Sequence, residues 1–304
     1  VRRDVTEQSN IDRGYFERLL CLLAAGSGWI RREAMKLHTV SVADAFRTRS
    51  VLLLATFLVS ATLEGSFIYG VSGYTTEILT VNTSTGDGAL LSDHPGTQPH
   101  GLAFDPLSGL LYSNAGGTLW STDPATGLTT AIGAIGYSTV AELAFDPGNR
   151  ILYGIDVASN SVITLDTSTG AGAFVGNHGI STMVGLAFDT SSGFLAATNA
   201  SGLRSLFMLD PSDASVISSV PISATIQGLA YDAANDRYYG VDGDLLNESQ
   251  LYTIEKDGTI AAVGDGVGYN GVFGLAPSPE PGALVLLGSC FLLAGLRRRP
   301  RSAL

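Results

Sequence analysis

Between residues 62 and 278 the apolar residues fall in short bursts of strand length, parted by clusters of Gly, Asp, Asn, Ser and Thr. No 3.6-residue apolar spacing runs through the stretch, so bursts bounded by turn-forming residues predict short strands rather than helices. The bursts also repeat. Gly101-Leu102-Ala103-Phe104-Asp105 returns as Glu142-Leu143-Ala144-Phe145-Asp146, Gly185-Leu186-Ala187-Phe188-Asp189 and Gly228-Leu229-Ala230-Tyr231-Asp232, and in shortened form as Gly274-Leu275-Ala276, at steps of 41, 43, 43 and 46 residues. After each comes a turn, an aromatic burst such as Ile151-Leu152-Tyr153-Gly154, a third burst such as Val162-Ile163-Thr164-Leu165, an Asp/Thr/Gly turn and a fourth short run. Four short strands per forty-odd residues is the pattern of a β-propeller blade; β-helices and leucine-rich horseshoes need a shorter period.

The ends of the array set the blade count. Phe67-Ile68-Tyr69-Gly70 matches the second burst of a unit, and Phe273-Gly274-Leu275-Ala276 matches a first burst with no unit after it. A C-terminal strand that completes the N-terminal blade predicts an all-β, five-bladed propeller over 62–278, closed so that no inner edge is left unpaired. The repeat resembles the broad class of extracellular bacterial propellers with Gly-Leu-Ala-Phe-Asp inner strands. That class has no single activity, so function is argued from the site.

In antiparallel four-stranded blades the turns after the first and third strands share one face, and the turn after the second strand shares the other with the link between blades. The first face is expected to be built of near-copies: Asp105-Pro106-Leu107-Ser108-Gly109, Asp146-Pro147-Gly148-Asn149, Asp189-Thr190-Ser191-Ser192-Gly193, Asn82-Thr83-Ser84-Thr85-Gly86, Asp123-Pro124-Ala125-Thr126-Gly127 and Asp166-Thr167-Ser168-Thr169-Gly170. Asp or Asn at the first position bonds the backbone ahead and Gly accepts a positive φ, so these acids are turn chemistry and not calcium ligands. The opposite face carries the irregular segments, including the links 92–100 and 177–181 with His94 and His178. Candidate ligand-binding residues lie there: His100, Glu142 and Gln227 at the starts of inner strands, and Asp156, Asn199 and Asp242 in the inner loops. A ring of Glu142, Asp156, Asn199 and Asp242 offers oxygen ligands to a hard cation such as calcium; solvated loop residues around one buried, hydrogen-bonded Glu are the plainer alternative.

The flanks speak of address. Pro279-Glu280-Pro281 is followed by an uncharged, mostly apolar run from Gly282 to Leu296 and then by Arg297, Arg298, Arg299 and Arg301. As a helix that run reaches about 22 Å, short of a hydrocarbon core of roughly 30 Å. Trailing arginines stay on the cytoplasmic side, which puts the propeller outside. Pro-Glu-Pro, apolar helix and basic end, in that order, resemble the PEP-CTERM sorting signal of bacterial exosortase substrates. The resemblance implies an exosortase-type membrane peptidase as partner, membrane contact through the C-terminal helix, and delivery to the cell envelope, cell surface or exopolysaccharide matrix. An ordinary C-terminal anchor is the alternative; it leaves the Pro-Glu-Pro unexplained. At the other end Met35, Lys36, Arg47 and Arg49, the apolar run Val51 to Val59 and the small residues Val59-Ser60-Ala61 make the three parts of a secretory signal, with cleavage expected after Ala61. Residues 1–34 are then expected to be an upstream extension from a misassigned start, with a cytoplasmic extension ahead of a signal anchor as the alternative.

Composition trims the list of functions. Cys21 and Cys290 are the only cysteines and both lie outside 62–278, so the propeller has neither a disulfide nor a thiol nucleophile. It holds three histidines (His94, His100, His178) and neither a Gly-x-Ser-x-Gly elbow nor a His-Glu-x-x-His pair. A lactonase-like, cation-dependent hydrolase built on the carboxylate ring is the enzymatic alternative to a binding or structural module. Basic residues in 62–278 are Arg150, Arg204, Arg237 and Lys256, against about five times as many acids. Such a surface repels phosphate backbones and excludes nucleic acid, and it repels acidic polysaccharide unless divalent cations bridge the two. Neutral glycans stacking on Tyr74, Tyr137 or Tyr269 remain open, while Tyr238 and Tyr239 are expected to pack on opposite sides of their sheet.

Overall fold

A computed structural model describes residues 66–278. The expected extension 1–34, the expected signal 35–61 and the expected sorting tail 279–304 with Pro279, Glu280, Pro281 and Arg297 to Arg299 lie outside the described residues. The chain opens with β1 (Phe67–Ser72), β2 (Glu77–Asn82) and β3 (Gly88–Asp93). Blade two follows as β4 (Leu102–Asp105), β5 (Leu110–Ala115), β6 (Thr118–Asp123) and β7 (Leu128–Ala134), and blade three as β8 (Val140–Asp146), β9 (Ile151–Asp156), β10 (Ser161–Leu165) and β11 (Gly172–Asn177). Blade four is β12 (Met183–Asp189), β13 (Phe194–Asn199), β14 (Ser205–Leu209) and β15 (Val216–Pro221); blade five is β16 (Gly228–Asp232), β17 (Arg237–Val241), β18 (Leu251–Ile254) and β19 (Ile260–Val263). The last strand, β20 (Val272–Pro277), returns to lie antiparallel on β1, with Ile68 opposite Pro277 and Gly70 opposite Leu275. Blade one therefore has the order β20-β1-β2-β3, and the predicted five-bladed ring closes with the predicted strand.

Burial falls from axis to rim. β4 is buried at every position, packed between its own blade and its neighbours, whereas β15 at the rim is exposed along most of its length. The core is divided among five clusters, one for each interface between neighbouring blades. The recurring aromatics occupy these interfaces. Tyr69 meets Phe104, Tyr112 meets Phe145 and Tyr153 meets Phe188, at centroid distances of 5.6, 6.4 and 6.4 Å. In each pair a second-strand Tyr covers the inner-strand Phe of the next blade, in the range where offset rings attract. Tyr238 and Tyr239 point to different interfaces, as their alternation on one strand requires.

The copied turns behave as their chemistry demands. Oδ1 of Asp105, Asp146, Asp189, Asn82, Asp123 and Asp166 each accepts the backbone N–H two residues ahead, at 2.7–2.9 Å. The fifth position of the turn after the inner strand has positive φ in four blades. It is Gly109 (74°) and Gly193 (76°) in two, and Arg150 (59°) and Asp236 (53°) in the others. An L-residue there is disfavoured, and each of these two is held by a bond across a blade boundary. Arg150 donates to Asp105 at 3.3 Å, and Asp236 accepts from Lys256 at 2.5 Å and from Ser191 of blade four at 2.9 Å. Lys256 also reaches Asp189 at 2.9 Å, which in turn accepts from the buried Tyr238 hydroxyl at 2.9 Å. Burial pushes Asp189 up, but bonds from Lys256, Ser191, Tyr238 and the Ser192 amide outweigh it and hold the carboxylate well below its usual range. The turn acids thus do more than shape their own turns, since two of them also tie blade to blade.

Candidate functional site

The inner strands begin alike, and their first residues form the axis of the ring. Gly101, Gly185, Gly228 and Gly274 occupy the same repeat position, and the backbones pack where side chains would stand. A Cβ on Gly101 would lie 2.5 Å from the Leu143 amide nitrogen, and one on Gly274 would lie 2.7 Å from the His100 carbonyl. Glu142 stands at this position in blade three, fully buried, and its side chain fills the space that the four glycines leave. Oε1 accepts from the amides of Leu102 at 2.7 Å and Leu143 at 3.1 Å. The amides of Leu229 and Leu275 also face the carboxyl closely enough to lower its pKa, yet they make no aligned bond and Oε2 has no partner. Burial dominates and raises Glu142 well above the ordinary carboxyl value, with the four amides opposing it. Glu142 is therefore a plug across the axis, received by backbone amides from four blades.

One residue earlier in each repeat lies the mouth: His100, Ala141, Val184, Gln227 and Phe273, all half-buried. Ladder irregularities between Val140 and Glu142, Met183 and Gly185, and Val272 and Gly274 leave Ala141, Val184 and Phe273 outside the regular pairing, as bulges that re-aim a side chain do. His100 stacks on Phe273 with centroids 5.1 Å apart. Burial lowers the His100 pKa, so its ring is neutral at pH 7. Gln227 Nε2 donates to the Asp242 carbonyl at 3.0 Å, which fixes its amide at the rim.

Beside the mouth, between blades two and three, lies a cavity of about 180 Å³. Its walls are the link before β4 (Thr97, Gln98, His100), the end of β5 (Asn114) and the link before β8 (Tyr137, Ser138). Local sequence explains the space. The turn from β5 to β6 is the glycine pair Gly116-Gly117, both at positive φ (57° and 74°), as a two-residue hairpin turn requires, whereas the corresponding turns of blades three to five are longer. Gln98 is also held at positive φ (50°), a strained conformation for a residue with a side chain. Asn114 is buried, its Nδ2 donates to the Val140 carbonyl at 2.7 Å, and its Oδ1 has no partner.

The sequence-derived residues do not form one group. Asp156 is buried in its own loop, where bonds from Ser159 at 2.5 Å and Thr139 at 2.6 Å outweigh burial and lower its pKa. Asn199 closes its loop by donating to the Ser201 carbonyl at 2.6 Å and accepting from the Ser205 amide at 2.9 Å. Asp242 accepts from the Asp244 and Gln250 amides at 3.3 and 3.0 Å. Among the described residues no group of three or more His, Cys, Asp or Glu converges to hold a metal ion, so the expected oxygen ring of Glu142, Asp156, Asn199 and Asp242 is not assembled. Each side chain is held instead by amides or hydroxyls close to it. Glu142 lies one register position deeper than His100 and Gln227, at the glycine position of the repeat. His94 and His178 belong to the core. They are buried, their backbone amides bond as those of Ile135, Ile222 and Val267 do in the other links, and each Nδ1 accepts an amide two residues on. Tyr137 and Tyr269 pack partly against blade cores, while Tyr74 is 66% exposed. Asn114 and the Gly116-Gly117 turn were not anticipated; the shortened turn is the signal that points to them.

This geometry defines a five-bladed propeller with a plugged axis and, on one face, a mouth of mixed polar and apolar residues. Its architecture is similar to that of a solved nidogen/laminin complex, with a TM-score of 0.51 and 14% identity over 71% of this chain and 82% of that one. A weaker likeness, at a TM-score of 0.42, is to hydrazine synthase of Kuenenia stuttgartiensis, 13% identical over 65% of each chain. No protein-family model matches the chain, and no curated protein resembles it in sequence.

Proposed function

We propose that this chain is an exported propeller that acts as a binding or structural module of the cell envelope or extracellular matrix, carried there by its PEP-CTERM-like tail. Its partners on this reading are an exosortase-type peptidase at the tail and exopolysaccharide or envelope proteins at the mouth. The observation that supports it is the unequal use of polar groups. Those of the copied face are engaged in turns and blade boundaries, while the mouth keeps a stacked neutral His100 and the cavity keeps an unpartnered Asn114 oxygen. Binding residues on repeated scaffolds concentrate where the repeat is broken. The carboxylates do not converge, so no observation favours the hydrolase reading.

The test follows tagged full-length protein in a bacterium that carries an exosortase system. Replacing Pro279-Glu280-Pro281 by alanines is expected to hold the protein at the membrane. His100→Ala with Gln227→Ala is expected to leave export intact and shift protein from matrix to medium. Retention of that double variant at the wild-type level would remove the mouth from the account, and normal sorting of the alanine tail would remove the exosortase.

A further inference from the structure

Exposed apolar side chains are ordinary when scattered and informative when contiguous. On the mouth face, where blade five meets blade one, they are contiguous. A Cβ on Gly271 would lie 3.0 Å from the Tyr74 Cβ, 3.1 Å from the Leu245 Cδ2 and 3.5 Å from the Phe273 ring, so side chains from two loops and the start of β20 converge over one glycine. His100 extends this surface by stacking on Phe273. Tyr74 and Leu245 are exposed, and Leu246 beside them is 89% exposed. Blades two and three carry no exposed large apolar side chain in the equivalent turns, so such display is not a property of the repeat.

The leucines are not displayed by looseness. Asp244 Oδ1 accepts from the amides of Leu246 and Asn247 at 2.8 and 3.1 Å, and the Asp244 carbonyl accepts from the Gly271 amide at 2.6 Å. A loop braced in this way loses little order when a partner covers it. Charge then selects the partner. Next to the loop, between blades five and one, runs an open groove of about 380 Å³ whose charged side chains are Asp87, Glu248 and Asp265, and Asp242 and Asp244 stand in the loop itself. Three of the four basic residues of the propeller, Arg150, Arg237 and Lys256, are engaged on the copied face. The acids do not converge as metal ligands. They repel anionic lipid and a second copy of the same surface, and they attract lysine and arginine. The strand order also argues against lipid. β20 starts at the mouth and ends at Pro277 on the copied face, so a chain anchored beyond Ser278 holds the patch away from its membrane.

We infer that this patch docks a cationic, apolar polypeptide segment of an envelope or matrix protein, with apolar side chains on Tyr74, Leu245, Leu246 and Phe273 and lysine or arginine in the acidic groove. The inference rests on the proposed binding role of the mouth and supplies its class of partner.

The experiment titrates the full chain into a fluorescent amphipathic peptide of leucine and lysine, followed by anisotropy, with a peptide of leucine and glutamate in the same pattern as control. Saturable binding is expected for the lysine peptide and not for the glutamate peptide. Leu245→Ser with Leu246→Ser is expected to weaken it about tenfold or more through lost apolar burial. Glu248→Gln with Asp265→Asn is expected to weaken it several-fold and to flatten its fall between about 0.1 and 1 M salt, where the screening length drops from about 10 to 3 Å. If the leucine pair does not fold by circular dichroism, Leu246→Ser decides alone. Absence of saturable binding, equal binding of the glutamate peptide, or binding indifferent to the leucine substitutions overturns the inference; the last is general attraction to an acidic surface. Self-association or anionic-vesicle binding that falls with the leucine pair assigns the patch to a second copy or to lipid, and overturns it too. The matrix assay separates the two readings. Retention lost in the His100 and Gln227 variant while the lysine peptide is silent leaves a binding module with a different partner; peptide binding with unchanged retention leaves the docking patch and removes the matrix role.

Discussion

The two faces of the ring are made by the same strands, yet they differ in what their polar groups are occupied with. On the copied face, Asp105 and Asp189 each shape a turn and also receive a cation from another blade, so a short motif serves both local conformation and ring integrity. On the irregular face, Asp156, Asn199 and Asp242 fold their loops, while several buried atoms, Asn114 Oδ1, Glu142 Oε2 and His178 Nε2 among them, have no partner among the described residues. A repeated acid on this scaffold reports architecture, and the informative residues are those with nothing nearby to bond.

Several substitutions would break that contrast or sharpen it. The largest effect is expected from ending the chain after Gly271, which removes β20 and leaves blade one without its inner strand; cooperative thermal unfolding followed by circular dichroism should vanish. Next is Asp189→Ala on the copied face, which leaves Lys256 with Asp236 alone and takes the acceptor from the buried Tyr238 hydroxyl and the Ser191 and Ser192 amides. It should cost about 3 to 4 kcal/mol in denaturant unfolding, chiefly for the buried hydroxyl and the turn amides left unpaired. A value near zero would reduce the copied face to local turn chemistry.

A pH effect should follow from the histidine in the link before β12. Burial lowers His178 from its ordinary 6.5 to about 4, so the folded protein holds it neutral while the unfolded chain protonates it. The unfolded state then binds more protons, and stability is fully present above about 6.5, falls as pH drops towards 4, and loses nothing more from this group below that. The loss should be about 3 kcal/mol over the window. His178→Ile, which copies Ile135 and Ile222 of other links, should flatten the curve of melting temperature against pH. The smallest effect is expected from His100→Phe, at under about 0.5 kcal/mol of stability, because a mouth residue that packs only on Phe273 supports little of the ring. A large loss there would make the mouth as structural as the opposite face.

Much of this fold was legible in the chain, because repetition multiplies weak signals. One Gly-Leu-Ala-Phe-Asp burst is an ordinary strand, but five at near-constant steps fix the blade, and the orphan bursts at Phe67 and Phe273 fix the closure. The turn acids were legible for the same reason. The repeat also places Glu142 at the glycine position of the other inner strands, but that its carboxyl is received by amides across the axis is a property of several blades meeting in space. His94 and His178 looked irregular by residue type, although aligning the links shows each standing where Ile or Val stands elsewhere. The shortened Gly116-Gly117 turn marks the place of Asn114, but its unpartnered oxygen could not be read from sequence, since it depends on segments meeting in space.

The closing strand has a consequence in time. Ile68 is paired with Pro277, so the first blade to be synthesised is the last to be completed. Until β20 arrives, β1 waits with an open edge, of the kind that recruits strands from other chains. Pairings this distant in sequence make folding slow and prolong that exposure. The start of the ring is therefore its most exposed part until its end has been made.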